Sequence, residues 1–403
     1  MLKIAYVYQH DAANPAVQSG RPASIFRQLT RDGVRLLPVF PMQMRLSRSS
    51  VLKKAAYRLA GRYYRGDREP AYLSGLAAEF ERRIAGNDYD MVFCPGSEAI
   101  SSLPNDRPVA FCADATFENM LGYYDDFCRV SREYQRQGHQ QEANALARAS
   151  FAIYPSAWAA RSATDYYGTN PGKVFVIPFG ANFGAGNLRQ DAQPWIEARS
   201  FECMNLLFVG RSWKRKGGDL VVETARRLVG RGIAVRLDIV GCEPPSALRR
   251  VPWIHVHGAL NPAVLASAAR LAVLFQKTHF LFVPSRAEAY GMTFAEASAF
   301  AVPSISTSTG GIPAVVTEGV NGHLLPLEAG PIEYANLLSG LFEDRDGYRR
   351  LCAAAFGEFE SRLNWRQFCS KLLALGNLYC GGGAAPGAAA APAARKGDPA
   401  HAR

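Results

Sequence analysis

The segment AEAYGMTFAE, residues 287–296, carries two carboxylates, Glu288 and Glu296. The preceding run HFLFVPSR predicts a buried strand, and MTFAEASAFA predicts a helix that starts near Gly291. Glu288 would then lie in the connecting loop and Glu296 about one turn into the helix. An ionised carboxylate only accepts hydrogen bonds, which suits vicinal hydroxyl groups of a sugar or ribose. The alternative is that Glu288 is an exposed loop charge and Glu296 a solvated helix residue.

The start of that predicted helix is a candidate anion site. Backbone amides at a helix N-terminus have no partner within the helix, and the helix dipole favours a negative charge there. Glycine at 291 would let a phosphate approach closely, so we expect the amides of Gly291, Met292 and Thr293 to hold phosphate.

A second segment supplies cations. LLFVGRSWKRKGGDLVVETARRL (206–228) predicts a strand, a loop and a helix, with Arg211 and Lys216 in the loop. Arginine and lysine at the carboxyl edge of a strand can clamp a diphosphate and stabilise its charge as a leaving group. The alternative is that residues 214–216 are an ordinary solvated basic run.

The elements that must position these residues form two series. Apolar strand-like runs alternate with helical stretches, first from LKIAYVY to KVFVIP and then from MNLLFVG to GHLLP. Strands that are apolar on both faces and alternate with helices predict parallel sheets covered by helices. The predicted fold is therefore α/β, with two Rossmann-like doubly wound domains that face each other across a cleft.

Composition sets the domain limits. The polar stretch GAGNLRQDAQPWIEARS (184–200) predicts a boundary near residue 190, which gives an N-terminal domain over 1–190 and a C-terminal domain over 191–362. LNWRQFCSKLLALGNLY predicts a helix within 363–380. The Gly-, Ala- and Pro-rich end, 381–403, predicts a disordered tail.

Charge and cysteine content narrow the class of protein. The chain has 403 residues and a formal charge of +11, which favours an anionic partner. Its eight cysteines form no metal-binding or disulfide pattern, and no apolar run is long enough to span a membrane. These features favour a cytoplasmic protein.

Several stretches together resemble the retaining nucleotide-sugar glycosyltransferases of family 4, which have the GT-B architecture. The matching stretches lie in order over about 200–326: FVGRSWKRKGGD, IVGCEPP, VHGALNPAVL, PSRAEAYGMTFAEASAFAVPSISTSTGGIPAVV and EGVNGHLLP. The resemblance implies that Glu288 contacts the donor sugar, that Glu296 contacts the ribose, and that Arg211 and Lys216 contact the diphosphate.

The resemblance implies transfer of a sugar from a nucleoside diphosphate donor to a saccharide or lipid-linked acceptor hydroxyl, in glycan, polysaccharide or glycolipid biosynthesis. It also makes 1–190 the acceptor-side domain and 191–362 the nucleotide-sugar-binding domain, and it implies that the helix within 363–380 packs back on the N-terminal domain. No metal is needed if Arg211, Lys216 and the helix start neutralise the leaving diphosphate, and no cofactor or nucleic-acid partner is expected. Two alternatives stay open. One is a GT-B glycoside phosphorylase, and the other is a non-catalytic protein that binds a membrane surface or nucleic acid.

Two residues of the N-terminal half are further candidates. Gly20, in SGRPASIFRQL, could bring backbone close to the donor phosphates, although a plain helix start explains it as well. Asp114, in ADATFENML, lies where many members of the family carry histidine. Asp114 could bind the acceptor, but a helix cap is the preferred interpretation.

The segment RLSRSSVLKKAAYRLAGRYYRGDR (45–68) carries eight Lys or Arg residues and one acid. A basic amphipathic helix can lie on an anionic membrane, which would place the protein peripherally on the inner face. An ordinary surface helix with its apolar face inward is the preferred interpretation.

Overall fold

The structure, a computed structural model, describes residues 2–42, 44–103, 106–183, 191–260 and 264–381. Within these ranges the chain forms two six-stranded sheets in which every paired strand is parallel. Both faces of such strands are apolar and must be shielded from water, so helices cover each sheet.

The first sheet has the order β2-β1-β3-β4-β5-β6. Its strands are β1 (Lys3–Val7), β2 (Arg35–Val39), β3 (Met91–Cys94), β4 (Val109–Cys112), β5 (Phe151–Tyr154) and β6 (Val174–Val176). The helices of this half are α1 (Arg21–Arg31), α2 (Arg48–Leu59), α3 (Pro70–Ile84), α4 (Phe117–Met120), α5 (Arg132–Arg148) and α6 (Ala157–Arg161). The central strands β3, β4 and β5 are buried at every residue, because their side chains are apolar on both faces.

The second sheet has the order β12-β11-β10-β7-β8-β9. Its strands are β7 (Met204–Val209), β8 (Val235–Val240), β9 (Ile254–Gly258), β10 (Phe280–Phe282), β11 (Ser304–Thr307) and β12 (Gly322–Leu325). The helices that follow the first sheet are α7 (Gln193–Glu197), α8 (Gly218–Gly230), α9 (Leu265–Lys277), α10 (Met292–Ala299), α11 (Ile312–Val315), α12 (Pro331–Glu343), α13 (Arg345–Ser361) and α14 (Trp365–Cys380).

The predicted α/β fold with two doubly wound sheets is confirmed, and each predicted apolar run contains a strand. The strand order reverses between β1 and β3 in the first sheet and between β7 and β10 in the second. Ligands of such sheets bind beyond the carboxyl ends of the strands at the point of reversal. The loops after β7 and β10 are the two that carry the predicted cations and carboxylates.

Helix α14 lies against the first half of the chain. The indole Nε1 of Trp365 donates a hydrogen bond of 3.0 Å to Asn182 Oδ1, and the ring of Tyr379 lies 5.1 Å from that of Phe151. The predicted boundary near residue 190 falls within 184–190, and the predicted tail lies almost wholly within 382–403. Both ranges are outside the described residues.

Helix α2 contradicts the preferred interpretation of the basic segment. Its inward contacts are polar: Ser50 Oγ donates to Glu69, Lys53 Nζ donates to Glu133 at 2.6 Å, and Tyr57 shares that carboxylate. Its apolar side chains face solvent, with Leu52 71% and Leu59 91% exposed. The prediction of an inward apolar face was wrong because three polar residues at helical spacing hold the helix instead. Across the described ranges, no helix combines the length and apolar character needed to span a bilayer.

Candidate active site

A cavity of about 440 Å³ opens between the two halves of the chain, at the carboxyl ends of β7 and β10. It brings together every residue that the sequence predicted on the donor side. These are Gly20 from the first half and Arg211, Lys216, Glu288, Gly291, Met292, Thr293 and Glu296 from the second. Residues from two distant loops and from both halves therefore share one space.

Lys216 and Glu288, which both line the cavity, form an ion pair. Lys216 Nζ donates to Glu288 Oε2, and Arg215 Nη1 lies 3.4 Å from the same oxygen. The residues are buried, Lys216 at 7% and Glu288 at 9% exposure. Breaking such a pair leaves an uncompensated charge in a poorly solvated place, so the two residues hold each other in position. The alternative that Glu288 is an exposed loop charge does not hold.

Close packing fixes the loop that carries Lys216. A Cβ atom on Gly217, which has φ of 78°, would lie 2.3 Å from the carbonyl oxygen of Pro284. A Cβ atom on Gly210 would lie 2.7 Å from Cγ of Lys216. Glycine at both positions lets the loop after β7 pack onto the segment after β10, which brings Lys216 within reach of Glu288.

Helix α10 begins at the cavity with Gly291 as its N-cap, at φ of 89° and without a side-chain cap. A Cβ atom there would lie 2.5 Å from the ring of Phe294 and 3.2 Å from Cγ of Glu288, so only glycine fits. The hydroxyl of Thr293 is buried and has no hydrogen-bond partner among the described residues. The first turn therefore presents donors to the cavity without an internal acceptor.

Glu296 lies one turn further along α10 and is partly buried in the cavity wall. Burial raises the pKa of this carboxyl to about 7, while hydrogen bonding from Asn182 and the charge of Lys216 act in the opposite direction. The alternative of a fully solvated helix residue does not hold. Glu296 titrates near neutral pH, so its charge and hydrogen-bonding capacity change there.

Arg211 differs from Lys216 in its surroundings. It lines the cavity but is exposed, and within the described part of the chain it forms no ion pair. Its guanidinium is therefore available to an anion in the cavity. Arg215 also lines the cavity and donates to the carbonyl of Ala287 at 2.6 Å, although the sequence did not identify it as a site residue.

Gly20 brings the first half of the chain to the cavity. Its φ is 83°, it precedes α1, and a Cβ atom there would lie 3.3 Å from the side chain of Asn182. Asn182 was not identified from the sequence, yet its Oδ1 accepts from Ser24 Oγ at 2.8 Å as well as from Trp365. The only signal was its place in IPFGANF, just beyond the carboxyl end of β6.

Asp114 does not line this cavity and caps no helix. The N-cap of α4 is Thr116, whose hydroxyl accepts from the amide of Asn119, so the preferred interpretation of Asp114 was wrong. Asp114 instead lies 3.4 Å from the buried guanidinium of Arg21 and keeps 57% of its side chain exposed. Burial raises the pKa of Tyr124, and the charges of Glu288 and Asp114 act in the same direction.

His257, one of two histidines that alternate along β9, takes part in a polar network. His257 Nε2 lies 2.7 Å from Asp238 Oδ1, and its Nδ1 lies 2.9 Å from Arg270. Among the residues that the structure describes, no group of three or more His, Cys, Asp or Glu side chains could hold a metal ion.

Comparison with known proteins finds similarity to glycosyltransferases. Residues 204–344 match the family model described as "Glycosyl transferases group 1". A D-inositol 3-phosphate glycosyltransferase from Thermobifida fusca is 27% identical over 229 residues, which cover 52% of this chain and 51% of that protein. The protein of the same name from Xylanimonas cellulosilytica is 30% identical over 174 residues, 42% of this chain and 40% of its own. This chain spans about half the length of these curated relatives or less.

Solved structures extend the likeness over the whole fold. Sucrose-phosphate synthase from Thermosynechococcus elongatus superposes with a TM-score of 0.66 at 16% identity, over 93% of this chain and 98% of that one. Anabaena HepE, solved in complex with UDP and glucose, gives a TM-score of 0.59 at 16% identity, over 93% and 100%. At such identities the likeness shows the fold, which is the two-domain GT-B arrangement.

Proposed function

We propose that the protein is a glycosyltransferase that moves a sugar from a nucleoside diphosphate donor to an acceptor hydroxyl with retention of the anomeric configuration. One observation carries the proposal: a single interdomain cavity combines basic side chains, the open end of α10 and two carboxylates. A diphosphate requires the first two features, and the hydroxyl groups of a sugar and a ribose suit the third.

Each part of the donor has a partner in this arrangement. Lys216, Arg211 and the amides at Gly291–Thr293 would bind the diphosphate, and Glu296 would accept from the ribose hydroxyls. Glu288 would accept from the donor sugar, since a phosphate beside Lys216 would share that cation and free one carboxylate oxygen. The similar proteins, which include HepE solved in complex with UDP and glucose, support a nucleotide-sugar donor.

The chemistry follows from the charges. The bond between the anomeric carbon and the departing phosphate oxygen breaks while the acceptor oxygen bonds to that carbon on the same face. The acceptor proton passes to the departing phosphate oxygen. Arg211, Lys216 and the helix start stabilise the charge that develops on the diphosphate, with no resident cofactor assigned a part. Glu288 is the first candidate for a nucleophile if this front-face displacement fails, and Asp114 is the acceptor-side candidate.

A test compares two neighbouring lysines. UDP-, GDP- and ADP-sugars are screened for hydrolysis and for transfer to saccharide and lipid-linked acceptors. With the donor that this screen identifies, Lys216→Met should lower kcat by about 10²- to 10³-fold, because the substitution removes a cation that stabilises the leaving group. Lys214 is exposed and outside the cavity lining, so Lys214→Met should keep wild-type turnover. Full activity of Lys216→Met would refute the assignment.

Helix α2 supports a peripheral contact with the inner face of a membrane. Val51, Leu52 and Leu59 are exposed on the same short helix as Arg48, Lys54 and Arg58. Apolar side chains that insert between headgroups, together with cations that pair with anionic lipids, bind interfacially. An acceptor carried on a lipid would then meet the enzyme at the bilayer surface.

A further inference from the structure

Two consecutive tyrosines of the first half of the chain reach across the cleft to the loop that carries Glu288. The backbone N–H of Glu288 donates to the hydroxyl of Tyr123 at 2.9 Å. The backbone N–H of the next residue, Ala289, donates to the hydroxyl of Tyr124 at 2.7 Å. Residues 165 positions apart in the sequence thus form two adjacent hydrogen bonds between the two domains.

Both phenols are held by further contacts. The hydroxyl of Tyr123 lies 3.2 Å from Thr309 Oγ1, and its ring lies 5.1 Å from that of Trp158. The guanidinium of Arg215 lies 5.2 Å from the centre of the Tyr124 ring, while the same arginine also contacts Glu288. Tyr124 is thereby connected to the cation side of the cavity, and Tyr123 to the turn at Thr309.

The turn at 309–311 packs closely against both the loop and Tyr123, which explains the paired glycines of TGGIP. A Cβ atom on Gly310 would lie 2.2 Å from both the carbonyl oxygen of Glu288 and the hydroxyl of Tyr123. A Cβ atom on Gly311 would lie 1.8 Å from the carbonyl oxygen of Ala289. The backbone at 288–289 is therefore in contact with both this glycine turn and the two tyrosines.

We propose that Tyr123 and Tyr124 form an interdomain latch, a pair of positioning residues that fixes the Glu288 loop when the two domains close. This inference rests on the proposed function and names how its site is assembled. The latch acts on the backbone next to the reacting sugar, and it does not touch the amides at Gly291–Thr293. Losing it should therefore impair the chemical step more than the binding of the nucleotide.

The test uses Tyr123→Phe, Tyr124→Phe and the double variant, which remove the hydroxyls and keep the rings. The matched control is Tyr379→Phe, which removes the hydrogen bond of another tyrosine to a backbone carbonyl, that of Gly172, far from the cleft. The measurements are kcat, the KM for the nucleotide sugar, the affinity for the free nucleoside diphosphate, and hydrogen–deuterium exchange of the peptide that contains Glu288 and Ala289.

In the double variant we expect kcat to fall by about 10- to 100-fold, since misplacement by about 1 Å has effects of this size. The nucleoside diphosphate affinity should stay within about twofold, and the amides of Glu288 and Ala289 should exchange faster than in the wild type and in Tyr379→Phe. Unchanged exchange, unchanged kcat or equal losses in kcat and nucleotide affinity would overturn the proposal. A rise in kcat would also overturn it, because the hydroxyls would then obstruct the site.

Failure of the proposed function gives a different result. If the wild type transfers no sugar from any donor, the glycosyltransferase assignment fails. The exchange rates at Glu288 and Ala289 then decide by themselves whether the two phenols hold this loop.

Discussion

Glu296 provides the sharpest test of the proposed donor site, because its capacity to accept hydrogen bonds from the ribose depends on its ionisation. Burial raises the pKa of its carboxyl to about 7, so it is mostly neutral in mildly acid solution and mostly charged in mildly alkaline solution. We expect the ionised form to bind the ribose hydroxyls, because only that form is an acceptor at both oxygens. Donor affinity should then rise with pH and level off above about pH 8.

The size of the effect follows from the pKa. At about pH 5.5 roughly one carboxyl in thirty is ionised, so the dissociation constant of the nucleotide sugar should be about thirtyfold larger than at about pH 8.5. Glu296→Gln keeps the shape and removes the titration. The variant should bind the donor weakly at every pH, with a nearly flat profile.

Stability gives an independent measure of the same pKa. A carboxyl whose pKa is raised by folding contributes stability below its unfolded pKa, and this contribution is lost as the pH rises through the folded value. A shift from 4.5 to about 7 corresponds to roughly 3 kcal/mol at most. Without donor, Glu296→Gln should therefore match the wild type near pH 4.5 and exceed its stability above about pH 8.

Isothermal titration with the nucleotide sugar and urea unfolding across the pH range measure both quantities. Lys214→Met serves as the control for a neighbouring change of charge outside the cavity. A donor affinity that is independent of pH in the wild type, or an equally steep profile in Glu296→Gln, would refute this account of the site.

Two further predictions concern the glycine turn and helix α2. Gly311→Ala should lower the free energy of unfolding by about 1–3 kcal/mol in urea melts, because the new Cβ meets the carbonyl oxygen of Ala289. Gly340→Ala, in open space on α12, should raise the free energy of unfolding by about 0.5–1 kcal/mol. Equal effects of the two substitutions would contradict the packing described. Changing Leu52 and Leu59 together to Asp should weaken co-sedimentation with phosphatidylglycerol vesicles at least about tenfold, since both side chains are exposed and apolar. Leu327→Asp, at another exposed leucine, should leave vesicle binding unchanged. Unaltered binding of the α2 variant would exclude the helix as the contact.

Much of the donor side could be predicted because it is encoded locally. A strand, the loop that follows it and the first turn of a helix are adjacent in the chain, so AEAYGMTFAE places Glu288, Gly291 and Glu296 by itself. The loop with Arg211 and Lys216 follows β7 in the same way. The rule that ligands bind at the carboxyl ends of parallel strands then joins the two loops without any knowledge of side-chain contacts.

Predictions from the sequence were wrong where the position of a residue depends on a partner distant in the chain. Aspartate is a common helix N-cap, but Thr116 is the N-cap of α4 and Asp114 instead pairs with Arg21. The apolar residues of α2 follow a helical period, but Ser50, Lys53 and Tyr57 find polar partners on other elements, and these partners decide which face turns inward. Periodicity reports that a helix has two faces, and only the surroundings decide which face is buried.

The sequence by itself therefore determined the two parallel sheets and which residues of the loops after β7 and β10 line the cavity, because strand, turn and helix-start signals operate over a few residues. The tertiary structure alone decided that Lys216 pairs with Glu288, that Asn182 joins the first domain to α14, and that Tyr123 and Tyr124 hold the Glu288 loop. Each of these contacts joins positions that are 72 to 183 residues apart. They arise from how two separately encoded domains meet, for which no local pattern exists.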